Sequence, residues 1–335
     1  MSRVLKFKIM SCFLVILILA AIEGYFRFFY IETDSMLITL SSKKWMEKYY
    51  ERNNQGFRDR RDFSPIKPRH VFRIGILGDS FVEGQGIKNP DNRFSNILEN
   101  LINKKFNISC EVYNLGRSGA DISEEKEYFL QEGNFFQFNA LILSVVELDD
   151  FLSGLSIREL SDEYLDISER NSTYAGIIRY FKNSSYAFSF FYAQFTKFRE
   201  NFIIKKKFVN IARSAILNKD NWENFIRHIY DIQEICNKND TAFYVISFPL
   251  VHFDGDKDIK ELEIEYRERF QRQLVGLEIK HIFLNDLLSQ YDYRNLIVSR
   301  FDIHPNELAN KIVANEILSL IQEQFESVND LAPIQ

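Results

Sequence analysis

Cysteine is scarce in this chain. The 335 residues hold three, Cys12, Cys110 and Cys236, too few for a disulfide framework. Cys12 lies in an N-terminal apolar segment, which leaves at most one bridge between the other two. Histidine is scarce as well, with five residues. No cysteine–histidine spacing points to zinc, and no glycine-rich loop points to a nucleotide. Neither a metal nor a cofactor is therefore expected. Excess positive charge is also missing. Lys and Arg number 42 against 47 Asp and Glu, a net charge of −5, which argues against a general nucleic-acid binder. The local run Lys205-Lys206-Lys207 reads as a solvated face. Internal repeats and low-complexity segments are absent. What remains is 46% apolar and 27% charged, an ordinary folded composition. The length suits one large α/β domain with insertions, or two small ones.

The N-terminus carries a localisation signal. Arg3, Lys6 and Lys8 precede an apolar run from Ile9 to Ile22. Glu23 interrupts it, and Gly24-Tyr25-Phe26-Arg27-Phe28-Phe29-Tyr30 extends it. The unbroken part is short for a span and resembles a signal-peptide core. The small-residue cleavage pattern fits poorly at Leu19-Ala20-Ala21-Ile22-Glu23. Counted through Tyr30, the segment reaches across a bilayer if Arg27 snorkels and the aromatics sit at the interface. Residues 1–30 are read as an uncleaved signal anchor, the alternatives being a cleaved leader or a buried amphipathic helix. The leading basic residues put the N-terminus in the cytoplasm and the rest outside, periplasmic or extracellular.

Residues 31–70 are polar and basic, with Pro65 and Pro68 near their end. They read as a connector into a domain spanning 71–330. Val71 to Leu77 is β-prone and apolar. Further strands are predicted over 109–115, 140–146, 241–248 and 281–284. Helices are predicted over 94–106, 123–133, with Ser123 and Lys126 at its start, 222–237, 259–274 and 305–325. This alternation predicts right-handed βαβ units and a parallel sheet covered on both faces. The rhythm breaks over about 151–220, which is rich in Phe and Tyr. That stretch reads as a helical insertion. Its aromatic stripe fits simple packing, a substrate lid or a membrane-facing surface.

The chemistry concentrates at Gly78-Asp79-Ser80. A buried strand ending in a tight glycine-flanked turn pushes a serine hydroxyl out at its C-terminal edge, where open α/β sheets bind ligands. A base must then come from elsewhere. His70, His228 and His281 suit surface or core positions. His252 follows the fourth strand and is a rival. His304 lies in Phe301-Asp302-Ile303-His304-Pro305-Asn306. Pro305 suits the first position of a helix, which would make His304 the N-cap or close to it. A helix start disfavours the imidazolium, and Asp302 can orient the ring.

These residues resemble the SGNH hydrolases, the GDSL-type esterases and lipases. Ser80 in Gly78-Asp79-Ser80 matches the family's nucleophile. In Asn114-Leu115-Gly116-Arg117-Ser118-Gly119-Ala120-Asp121, Gly119 matches the glycine whose N–H joins the oxyanion hole, beside that of Ser80. Asp302-Ile303-His304-Pro305-Asn306 carries the acid and base. The blocks fall in the family's order over most of residues 71–325. The resemblance implies a three-layer α/β/α fold of flavodoxin type.

Two positions depart from the family's pattern. The acid and base are spaced Asp302-x-His304 instead of Asp-x-x-His. After the third strand the family has Asn-Asp, whereas this chain reads Val146-Glu147-Leu148-Asp149-Asp150-Phe151. Asp149 takes the place of an asparagine that donates to the oxyanion, and an ionised carboxylate cannot donate. Asp254-Gly255-Asp256-Lys257-Asp258, with Glu265 at the twelfth position, resembles a calcium loop. Ile259 stands where that loop needs glycine, and Asp258 with Glu261 also reads as a capping box. The resemblance implies a serine esterase acting on O-acylated glycans or lipids, with cell-surface polysaccharide the natural substrate of an outward-facing member. An O-acyltransferase would use the same acyl-enzyme. The acidic third block also admits a non-catalytic, glycan-binding or scaffolding member.

Overall fold

Unbroken apolar runs make strands that are buried on both faces, and this chain has several. The computed structural model describes residues 2–36, 38–153, 173–203, 205–249 and 257–325. In chain order the elements begin with α1 (Arg3–Phe28), α2 (Leu40–Tyr49), β1 (Val71–Gly78) and α3 (Ser80–Glu83). Next come α4 (Phe94–Phe106), β2 (Ser109–Gly116), α5 (Ile122–Gln131), β3 (Ala140–Val146) and α6 (Asp149–Ser153). Then follow α7 (Thr173–Ser184), α8 (Tyr186–Ile203), α9 (Lys205–Leu217), α10 (Lys219–Lys238), β4 (Ala242–Phe248) and α11 (Lys257–Gly276). The last are β5 (Lys280–Phe283), α12 (Asn285–Leu288), β6 (Ile297–Ser299), β7 (Asp302–Pro305) and α13 (Glu307–Ile321).

The chain divides into two units. One comprises residues 1–50 and 158–206, the other residues 51–157 and 207–335. The second holds a five-stranded parallel sheet in the order β2-β1-β3-β4-β5. That is the flavodoxin order, with its switch point between β1 and β3. Helices α4 and α13 cover one face, and α5, α10 and α11 cover the other, completing three layers. The core is one cluster that includes Ile74, Ile76, Leu141, Leu143, Val245 and Ile246 from the strands. Rings of Phe151, Trp222, Phe225, Tyr266 and Phe270 interlock on the second face. Residues 151–153 and 209–217 of the aromatic-rich stretch belong to this sheet unit, where Phe151, Leu152, Ala212 and Ile216 are core residues.

The other unit is helical. Helix α1 is 26 residues long, with a mean hydropathy of 2.4 over its most apolar window and no burial there. It is long and apolar enough to cross a membrane, by length and composition. Helix α2, within the stretch read as a connector, is capped by Thr39 and buries Trp45. Helices α7 and α8 come from the aromatic-rich stretch.

Four of the five predicted helices start elsewhere: α10 at Lys219 and α11 at Lys257 begin three and two residues early, and α5 and α13 shift for visible reasons. Helix α5 begins at Ile122, because Asp121 caps it. The Asp121 carboxylate accepts from the N–H groups of Ser123 and Glu124, and Glu124 returns a bond to the Asp121 N–H. Pro305 does not open the last helix. It ends β7, paired with Ile297 of β6 in an antiparallel ribbon. Asn306 is the cap instead, accepting from Leu308 and Ala309 while its amide donates to the Asn295 and Ile297 carbonyls. His304 therefore sits on a strand, two residues before the helix cap.

Candidate active site

The switch point collects the C-terminal ends of β1, β2 and β3. Ser80 is the first residue of α3, directly after β1. Asp79 caps that short helix by accepting from the Phe81 N–H at 2.9 Å. Tyr128 ties the edge together, its hydroxyl 3.1 Å from both the Gly78 and Leu115 carbonyls.

The ribbon β6–β7 brings in the histidine. His304 Nε2 lies 2.7 Å from Ser80 Oγ. His304 Nδ1 lies 2.6 Å from Asp302 Oδ1, which also accepts from the His304 N–H at 3.1 Å. An ionised Asp302 can only accept, so Nδ1 carries the proton and Nε2 is free to accept from the serine. Both side chains are buried. The Phe81 ring packs edge-on against the imidazole at 5.2 Å. Ser80, His304 and Asp302 thus meet across 224 residues of sequence. His252 and residues 254–256 of the calcium-like run lie outside the described residues, while Lys257 and Asp258 begin α11. His70, His228 and His281 stand on the exposed approach to β1, on α10 and on β5.

The second strand supplies a loop of N–H groups. Gly119 has φ +79°, a conformation that L side chains rarely adopt, although a Cβ there would meet nothing. Its N–H has no partner among the described residues. Gly116 is needed for another reason. A Cβ there would stand 2.2 Å from the Glu83 nitrogen, so only glycine lets β2 approach the serine turn.

Glu83 was not singled out from the sequence, and it links the two. Its fully buried carboxylate accepts from the Ser118 N–H at 3.2 Å and from the Ser118 hydroxyl. Arg52 pairs with its other oxygen at 3.1 Å. Two buried arginines clamp the same turn from behind. Arg58 donates to the Gly84 and Ile87 carbonyls, and Arg93 donates to the Arg58 carbonyl. Burial pushes the Arg93 guanidinium down to about 10, against the pull of Asp59.

The third strand brings acid. Leu148 turns the chain with φ +64°, an outlier for a bulky residue of the kind found at functional sites. Asp149 follows at the start of α6, with its side chain at the surface. Its carboxyl oxygens come within 4.8 Å of those of Asp79 and Asp150. Crowding by surrounding protein raises the Asp149 carboxyl, and the charge of His304 opposes that rise. Burial, then the charge of Asp149, pushes Asp79 up to about 6, against the Phe81 N–H and His304. Asp79 Oδ2 is also 3.3 Å from Ser80 Oγ, a second acceptor for the serine proton. Asp150 accepts from the Val146 N–H at 2.7 Å, and burial, then Asp79 and Asp149, raises it well above the usual carboxylate range. Glu125 lies fully buried beneath, with no hydrogen-bond partner for either oxygen, and is raised well for the same reason. Asp79, Asp149 and Asp150 are the group among the described residues spaced to hold a metal ion. An acidic cluster alone is no evidence of one.

Comparison with known proteins adds a fold-level likeness. No family model and no curated protein matches the chain. Solved structures do. A lipase from a goat rumen metagenome is 13% identical, with a TM-score of 0.45 over 74% of this chain and 97% of that one. An acetyl xylan esterase is 12% identical, at 0.44 over 75% and 100%. A Clostridium thermocellum family 3 carbohydrate esterase is 14% identical, at 0.45 over 77% and 98%. Overlaps this distant transfer no chemistry. The chemistry rests on this chain's own side chains.

Proposed function

We propose that this chain is a serine ester hydrolase of the SGNH type, held in a membrane by residues 1–30 with its sheet unit outside. The observation that carries the reading is the relay from Asp302 Oδ1 through His304 to Ser80 Oγ, at 2.6 and 2.7 Å. Ser80 attacks the acyl carbon while His304 Nε2 takes its proton. Asp302 holds the tautomer and stabilises the imidazolium. The N–H groups of Ser80 and Gly119 face the oxyanion. His304 then returns the proton to the leaving alcohol, and water repeats the sequence on the acyl-enzyme.

The substrate is an O-acyl ester of a glycan or lipid. A cavity of about 610 Å³ is lined by chain neighbours of the relay, with Ser80, Asp302 and His304 themselves outside its lining. Ile303 and Pro305, which alternate with Asp302 and His304 along β7, line it together with Phe81, Tyr291 and Tyr293. Aromatic rings among polar side chains such as Asn285 and Arg294 suit a sugar. A sugar hydroxyl in place of water would make the same acyl-enzyme a transferase. Asp149 favours a second reading, a non-catalytic glycan binder, because its carboxylate opposes an oxyanion.

Fluorophosphonate labelling tests the proposal. Intact-mass analysis is expected to show one adduct, lost in Ser80→Ala and slowed at least ~1000-fold in His304→Ala. A folded protein unlabelled after hours, or labelled equally in Ser80→Ala, would overturn it.

A further inference from the structure

Helices α7 and α8 wear apolar side chains on the outside. Tyr174, Ile177 and the adjacent Tyr180 and Phe181 form a stripe on α7, and Phe191, Phe195 and Phe198, spaced by four and three residues, form one on α8. All seven are between 45% and 69% exposed. The helices have already used other faces for packing, since Ala175, Ile178, Phe190 and Ala193 are buried. Soluble monomers rarely expose so many large apolar groups in adjoining stripes.

A second observation identifies the partner. The junction of α7 and α8 is tied to the end of the apolar helix α1. The Glu23 carboxylate accepts from Ser185 Oγ at 2.8 Å, the Ala187 N–H at 3.0 Å and the Tyr186 N–H at 3.1 Å. Arg27 donates to the Ser184 carbonyl at 3.0 Å and lies over the Tyr186 ring at 4.8 Å. Phe26 packs its ring on Phe190 at 4.6 Å and on Phe191 at 5.5 Å. A hydrocarbon core about 30 Å thick takes roughly 20 helical residues. Counted from Lys8, the last basic residue before the apolar run, that span ends at Phe28. Arg27 therefore falls at the far boundary of the bilayer and Glu23 roughly one helical turn inside it, so the start of α8, bonded to both, lies close to that boundary. The α8 stripe begins at Phe191, whose ring meets that of Phe26, the buried residue of α1.

We infer that α7 and α8 lie on the membrane surface from which α1 emerges, with their aromatic stripes in the headgroup region. Rings with apolar bodies favour that depth, and the basic Arg179 and Lys182 on α7 suit lipid phosphates. The inference rests on residues 1–30 spanning the membrane. It goes beyond anchoring, because it assigns a second, peripheral contact to residues 173–198.

The test uses the full chain in phosphatidylcholine vesicles carrying a photoreactive lipid, with adducts mapped by mass spectrometry. Adducts are expected in 3–28 and in 173–198, at least ten times denser than around Ile66, Phe135 and Val275, exposed apolar residues of the sheet unit. Combined Tyr180→Ser, Phe195→Ser and Phe198→Ser should keep the adducts in 3–28 and lose most of those in 173–198. Phe198→Ser alone, losing adducts around residue 198, serves if the triple variant does not fold. Adducts confined to 3–28 would overturn the surface contact, as would chain-to-chain crosslinks through 173–198 that displace lipid labelling. Protein left in the supernatant without adducts would overturn the anchor itself. Fluorophosphonate labelling of Ser80 is unaffected by either failure and reports the esterase reading separately.

Discussion

In the proposed site, Asp149 bears on how well an oxyanion would be held. Its carboxyl oxygens lie within 4.8 Å of those of Asp79, and an ionised group there opposes the charge that develops on the substrate. Asp149→Asn restores a donor of nearly the same shape. Esterase turnover should rise at pH 8, by up to ~100-fold if most of the oxyanion-hole contribution is recovered. The gain should shrink in acid, where the wild-type carboxyl is protonated. A ratio of variant to wild type below threefold at every pH would remove Asp149 from the site. Glu83 acts one step further out, as a positioning residue for the loop that carries Gly119. Glu83→Ala should lower kcat ~10–100-fold with little change in KM, and Glu83→Gln should recover part of the loss. Equal losses in both variants, tracking a fall in folded protein, would mark Glu83 as purely structural. Beneath them, Glu125 is buried without a partner, so its proton is held more tightly in the folded chain than in the unfolded one. A raised carboxyl contributes stability below its unfolded value, near 4.5, and loses it as pH rises through the folded value. Glu125→Gln should therefore raise Tm at pH 8 and flatten its decline between pH 5 and 9. Parallel Tm curves for the two proteins would contradict this.

At the scale of elements, the site is made by three strand ends and a ribbon. The pairing of β1 with β2 runs in register from Val71 with Ser109 to Gly78 with Gly116, so the serine turn and the Gly119 loop leave the sheet side by side. Contact at that edge is tight enough for one methyl group to matter. Gly116→Ala should cost roughly 1–3 kcal/mol of stability, as overpacking does, and should slow Ser80 labelling by displacing α3. Urea unfolding and labelling rates measured together would check it, and an unchanged midpoint with unchanged labelling would refute it. The ribbon β6–β7 has a separate support. Asn306 joins it to α13 through both its amide and its cap.

For the molecule as a whole, the proposed function divides the work between chemistry in the sheet unit and placement by the helical unit. The sheet unit holds every residue of the proposed relay. The helical unit holds α1, whose most apolar window is unburied. Expressed intact, the chain should sediment with membranes and resist extraction by high salt and alkaline carbonate. Protease added to spheroplasts should reach the sheet unit. A soluble product cut near Ala21 would instead show a cleaved leader.

The sequence alone was enough for the class of fold and for naming candidate residues at the strand ends. Apolar runs of strand length alternating with helical spacing dictate a parallel sheet, and short motifs marked Ser80, Gly119, Asp302 and His304 as candidates. Such signals are local, written in spacing over a few residues. Only tertiary structure decided which local pieces meet. It put His304 on a strand instead of a helix cap, because Pro305 found a partner in Ile297 and Asn306 took the cap. It joined Glu83 to Ser118 and gathered the buried Asp79, Asp150 and Glu125 near the exposed Asp149. It grouped residues 1–50 with 158–206 and left two aromatic stripes outward. Each of these depends on the order of strands in the sheet or on packing between segments far apart in the chain, and no period in the sequence encodes such a distance.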